Sequence, residues 1–223
     1  AFRYELDNHI HLLALMLLMG TIAIHLKQAG KDWRSYLGWT ARIMLGLVFL
    51  FATLGKLVAN EFLDGSFMEF NLLYLKDFWT ISEHFVTDKT DLAKNRQLVE
   101  LLQVTADPNH AFYRLMSDGS IEKIALLFSY WTILIELAIA VLFILPSRYS
   151  ASKWRDTILI IFLLTTYPFL PVLGFARSII LLALTAVYFD PPYSESRLFP
   201  LLYIALYILI SLIFVPVLMV RFG

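Results

Sequence analysis

Long, nearly unbroken apolar runs alternate along this chain with short polar segments. Four runs reach or approach the length of a membrane span: residues 9–26, 36–58, 124–145 and 198–220. About 20 apolar residues in a helix cross ~30 Å of hydrocarbon, and lipid offers the backbone no partner outside its own helix. A fifth run, 157–189, is too long for one straight span and too short for two full ones. Pro168, Pro171 and Gly174 sit near its middle, with Arg177 just beyond. We read this run as two short helices broken at the prolines, which makes six hydrophobic helices. Five full spans with a kinked fourth is the alternative. The first run has acidic flanks and no small-residue cleavage site, so it is not read as a signal peptide.

Between the second and third spans the pattern changes. Phe67, Phe70, Tyr74, Phe78, Ile81 and Phe85 recur at spacings of three and four, which predicts one helical stripe lying on the membrane surface or capping the bundle. Packing on other helices is the plain reading of that face, and a mouth for an apolar substrate is the functional one. A second amphipathic stretch covers 92–104. Asp107-Pro108 reads as a helix start and Asp118-Gly119 as its end. The expected fold is all-α: a single membrane domain, residues 1–223, with residues 59–123 as a small external helical cap.

Composition supports the membrane reading, since 59% of the residues are hydrophobic, 16% are charged and the mean hydropathy is +0.70. Soluble domains run nearer 45–50% apolar and about 25% charged. Lys plus Arg and Asp plus Glu stand at 18 each, so net charge gives no sign of a nucleic-acid partner. With no cysteine, disulfides, thiolate metal sites and protein-sulfur redox cycles are excluded. Charge is uneven, however. Lys27, Lys31 and Arg34 stand against Asp32 in the first connection, and Arg148, Lys153 and Arg155 against Asp156 after the third span. Two spans separate these loops, so both fall on one side, and the positive-inside rule makes it the cytoplasmic one. Segment 59–123 carries 11 of the 18 acidic residues and only six basic ones. It is therefore expected on the non-cytoplasmic side of a bacterial inner (plasma) membrane.

Charges inside the spans mark the candidate chemistry. Glu136 lies midway through the third span, where an ionised side chain costs about 2.5–3.5 kcal/mol unless it is paired, protonated or facing protein. Arg42 lies seven residues into the second span and Lys56 near its far end, close to four turns apart on nearly the same face. The functional reading is a polar pocket in which Glu136 acts with Arg42 or Arg177, with Lys56, Tyr130 and Tyr167 as companions. Such a pocket suits a quinone head group, an anionic lipid or a proton relay. The plainer reading is a structural ion pair, with Lys56 and Arg42 snorkelling to opposite interfaces. His11 and His25 are 14 residues apart on the first span, but no other apolar span holds a histidine, so a bis-histidine haem is not expected. No metal site is expected either, because a solvated helix end explains Glu83, His84, Asp88 and Asp91. Phosphate loops, nucleophile elbows and metalloprotease helices are absent.

The second span runs from Arg42 through Gly46 and Phe49 to Gly55-Lys56-Leu57, and it resembles the opening helix of the DoxX-like superfamily. The third span, with Ile135-Glu136-Leu137 and then 142–146, is similar to that family's second helix. The run from Phe175-Ala176-Arg177 to Tyr188-Phe189-Asp190-Pro191-Pro192 is similar to the related HTTM domain of vitamin K-dependent carboxylase-like proteins. Together these cover about residues 37–190. The resemblance implies a four-helix core within the five to six hydrophobic helices, and association with quinone- or thiol-linked membrane redox systems. It carries over Arg42, Lys56 and Glu136 as pattern positions; the chain has no cysteine for the thiol branch. The expected function is therefore a membrane redox protein or subunit that binds a quinone-like or lipid molecule among its helices. Its expected partners are membrane lipids and other membrane subunits. The alternative is a non-catalytic docking subunit of a larger membrane complex, with the acidic cap as its partner surface.

Overall fold

The computed structural model describes residues 8–74, 83, 89–104, 119–146, 148–166, 173–189 and 198–222, and among them every regular element is helical. Helix α1 (Asn8–Gln28) and helix α2 (Trp33–Val58) are joined by a four-residue turn that its sequence dictates. Gly30 takes φ +68°. Its N–H donates to the Lys27 carbonyl at 3.1 Å, and the Lys31 N–H donates to the Leu26 carbonyl at 2.9 Å. These are the paired bonds of a Schellman stop, whose left-handed residue favours glycine. The Asp32 carboxylate then accepts the Ser35 N–H at 3.1 Å and starts α2.

Beyond α2 come α3 (Asn60–Leu63), α4 (Ser66–Tyr74) and α5 (Lys89–Val104). Helix α6 (Gly119–Ile144) follows, then a 3-10 turn (Ser150–Trp154) and α7 (Arg155–Thr166). Helices α8 (Leu173–Phe189) and α9 (Leu198–Phe222) complete the order. Three helices, α1, α2 and α6, are long and apolar enough to cross a membrane. The ambiguous run 157–189 is shared between α7 and α8, and its two prolines lie outside the described residues. So do Phe78, Ile81 and Phe85 of the aromatic stripe, and the turns at Asp107-Pro108 and Asp190-Pro191.

The chain divides into two compact units, Ala1–Leu50 with Ala138–Gly223, and Phe51–Leu137. Helices α2 and α6 each contribute to both. In the first unit α8 packs against both α1 and α9. It buries Ala176, Ile179, Ile180, Leu182, Ala183, Ala186 and Val187, a set too broad for one face, as a helix with neighbours on both sides requires. Phe49 of α2 meets Phe162 of α7 edge-on at 5.1 Å and Phe175 of α8 at 6.2 Å. Helix α1 instead buries a narrow stripe, Leu12, Met19 and Ala23, and exposes Leu15, Leu17, Leu18 and Ile24. An outward apolar surface of this kind suits lipid rather than water.

In the second unit α3 packs on α4 and α4 on α5. The link between α3 and α4 is Asp64-Gly65. Gly65 has φ +82°, and a Cβ there would stand 3.1 Å from the Leu126 backbone, so conformation and space both demand glycine. Helix α4 turns Met68, Leu72 and Leu73 inward and leaves Phe67 and Phe70 exposed. The described part of the aromatic stripe is therefore the outer face of its helix rather than the packed one.

One close approach in the first unit gives a test. A Cβ on Gly46 would lie 2.5 Å from Ile144 Cγ1 and 3.2–3.3 Å from the Ile144 nitrogen and the Ala140 oxygen, whereas Gly20 has nothing within 4 Å. Gly46→Leu is expected to lower stability by about 1–3 kcal/mol through overpacking, and Gly20→Leu to leave it nearly unchanged. Thermal unfolding in detergent measures both.

Candidate functional site: an ion pair within a span

Glu136 stands on α6 with two turns of helix still to follow, and its side chain is 8% exposed. The second unit answers its charge with Lys56, three residues from the end of α2. The Lys56 ammonium donates to Oε1 at 2.9 Å and to Oε2 at 2.7 Å, and its side chain stays 20% exposed. Both carboxylate oxygens are thus engaged by one cation, while the cation keeps an open side. The Phe62 ring of α3 lies 5.4 Å from the same ammonium and stacks on Phe67 at 5.0 Å. A cation over a ring face gains electrostatically from the ring quadrupole. The pair is therefore flanked by an aromatic ledge that the Asp64-Gly65 turn sets in place.

Ser129 lies seven residues before Glu136, within about 20° of the same α6 face. Its hydroxyl is fully buried and has no hydrogen-bond partner among the described residues. Thr53, three residues before Lys56, is buried as well. Polar atoms thus recur along a stripe otherwise made of Ala125, Ile133 and Ala140. The chemistry open to such a site is donation from a partly exposed ammonium to a ligand oxygen, with Glu136 as the adjacent proton acceptor.

The other candidates are distributed differently. Arg42 is buried at 7% exposure in the first unit, on the α2 face that carries Leu45 and Phe49. Arg177 is half-buried on α8 in that unit, with no hydrogen bond at Nε. Tyr130 is exposed at 47%, and its six-residue offset puts it about 120° round α6 from Glu136. Tyr167 lies outside the described residues. The structure therefore joins Lys56 to Glu136 and places Arg42 and Arg177 in the other unit. His11 and His25 are both exposed on α1. Of the four acidic and histidine residues near the cap, Glu83 pairs with Arg96 at 2.6 Å and Asp91 with Lys94 at 2.9 Å, while His84 and Asp88 lie outside the described residues.

A second charged cluster escaped the sequence reading. Arg155 and Asp156, counted above among the loop charges, are fully buried at the start of α7. Asp156 Oδ2 accepts from Arg155 Nε at 3.2 Å, and Oδ1 accepts from the Tyr203 hydroxyl at 2.9 Å. The Arg155 guanidinium lies 5.6 Å over Phe143. Every member has no exposed surface, so the triad ties α7 to α9 and to the end of α6. No local signal in a loop sequence Lys-Trp-Arg-Asp-Thr reveals this; the nearest hint is a tyrosine inside the apolar α9.

Comparison with protein-family models, with curated proteins and with solved structures found no match.

Two tests follow from the second unit. Removing one partner of a buried pair leaves an uncompensated charge and costs about 3–5 kcal/mol. With Lys56 partly exposed, Lys56→Met and Glu136→Leu are each expected toward the lower end of that range, and the double variant to cost less than either alone. Chemical unfolding of the four proteins measures the coupling. At the ledge, hydrogen bonds from Ser66 hold the exposed Asp64 carboxyl below its ordinary range. A lowered carboxyl contributes stability above its unfolded pKa and loses it as pH falls through the folded one. Protection of α4 amides against hydrogen exchange, referred to the intrinsic rate at each pH, should fall across that acid window, and Asp64→Asn should flatten the dependence.

Proposed function

We propose that this chain is a DoxX-like integral membrane protein of the bacterial inner membrane, acting as a redox protein or redox subunit. It binds a quinone-like or lipid molecule whose polar head is held by Lys56. One observation carries the reading: an ammonium bound to both oxygens of Glu136 inside a span, flanked by an aromatic ring and still open on one side. Two of the ammonium protons are given to Glu136, and the open side of Lys56 leaves the third accessible to a ligand carbonyl. Phe62 and Phe67 supply the flat apolar surface that an aromatic or prenylated head prefers. Glu136, released from full engagement when the ligand draws on Lys56, becomes the local proton acceptor. The acidic cap faces the non-cytoplasmic side, and the cationic turns face the cytoplasm.

The protein, purified in mild detergent, should yield about one quinone-like or lipid molecule per chain on solvent extraction, read by mass and absorbance. Lys56→Met with Glu136→Leu, a variant that keeps the helix pair apolar and foldable, should lose that ligand at least tenfold with little change in melting temperature. Retention of the ligand by this double variant refutes the site. Absence of any ligand from the wild type, with other membrane subunits co-purifying in fixed ratio, selects the docking-subunit reading.

A further inference from the structure

The turn between α1 and α2 gathers positive charge around one ring. Lys27 Nζ lies 5.6 Å from the Trp33 ring centre, and the Arg34 guanidinium lies 5.4 Å from it. Placed end to end, these distances leave the two charges no more than 11.0 Å apart. Lys31, in the turn itself, is exposed, as are Lys27 and Arg34. No carboxylate among the described residues forms an ion pair with any of the three. The one acid in this stretch, Asp32, caps α2 by accepting the Ser35 N–H and also interacts electrostatically with Arg34, so the turn keeps an excess of positive charge. Trp33 is itself held in position by Phe189 at the end of α8, with ring centres 5.5 Å apart.

Three exposed cations against one acid leave this turn with a net positive charge, which favours an anion at its surface. The surroundings specify the kind of anion. Two apolar helices meet at this turn, and a tryptophan at the end of a span belongs at the depth of lipid headgroups. Lysine and arginine stems reach along apolar surface while their charged ends meet phosphate. The same unit repeats the device at its other connection, where Arg148 lies 5.1 Å over the Tyr149 ring beside exposed Lys153 and Trp154.

We propose that the α1–α2 turn, with Lys27 and Arg34 both near the Trp33 ring, is a binding site for the phosphate headgroup of an anionic glycerophospholipid. The site is separate from the Lys56–Glu136 pair and does not depend on its role. Lys27 and Arg34 contact the phosphate oxygens, Trp33 lies against the glycerol region, and Lys31 adds charge from the turn.

The test uses the full chain in detergent micelles doped with equal amounts of phosphatidylglycerol and phosphatidylcholine, with bound lipids counted by native mass spectrometry. The wild type is expected to retain phosphatidylglycerol preferentially, with each cation worth on the order of fivefold. Lys27→Gln with Lys31→Gln and Arg34→Gln should cut the preference at least tenfold. Lys27→Gln alone keeps the ring and most of the charge, so it stays informative if the triple variant folds poorly, and it should reduce the preference about fivefold. Lys123→Gln, at the start of α6, should leave it unchanged. Equal retention of the two lipids by the wild type overturns the proposal. So does a preference that survives undiminished in Lys27→Gln or in a folded triple variant.

Discussion

An ionised side chain withdrawn from water has to be answered within hydrogen-bonding distance, and in this protein that requirement organises both units. In the second, Glu136 takes both of its bonds from Lys56, which holds the last turns of α2 against α6. In the first, Asp156 takes one bond from Arg155 and one from Tyr203, which holds the start of α7 against α9. Apolar side chains alone would let these helices slide, because leucine packs almost as well against lipid as against leucine. A two-point bond to a carboxylate fixes rotation and depth together. The glycines tighten other contacts in each unit, with Gly46 bringing α2 close to α6 in one and Gly65 seating a turn against α6 in the other.

The two buried carboxylates are nevertheless in different situations. Asp156 is sealed, with partners on both oxygens and no surface exposed. Such a triad holds structure and offers nothing to a ligand. Glu136 is also bonded at both oxygens, but its partner is a single flexible lysine with a fifth of its side chain open. Lysine is a point charge on a four-carbon stem, able to swing where an arginine fork holds its geometry. That contrast, more than burial itself, separates the site offered for binding from the staple.

Legibility in the sequence followed the range of the signal. Span-length apolar runs predicted α1, α2 and α6, since the requirement for about 20 apolar residues is local. Gly30 and the Asp64-Gly65 pair likewise mark turns within a few residues of themselves. Glu136 was visible as an anomaly in an apolar run, and Lys56 as a charge near a span end, but their pairing depends on how two helices separated by 80 positions come together. On sequence alone Glu136 goes with Arg42 or Arg177, and Lys56 is a companion; in the structure it is Lys56 that bonds Glu136. Arg155 and Asp156 looked like loop charges because adjacent opposite charges before a helix usually are solvated. Their burial follows from a tyrosine 47 residues onward. Phe67 and Phe70 carried the right period, yet periodicity marks a face without saying whether it turns inward.

The bond from Tyr203 to Asp156 also has a bearing on how the protein is made. A chain emerges from the ribosome in order, and Tyr203 follows Asp156 by 47 residues. Until residue 203 has been synthesised and inserted, Asp156 Oδ1 lacks the donor it has in the finished fold. The start of α7 therefore gains that bond only once the later segment is present. The native state of the first unit thus includes a contact that no chain ending before Tyr203 can make.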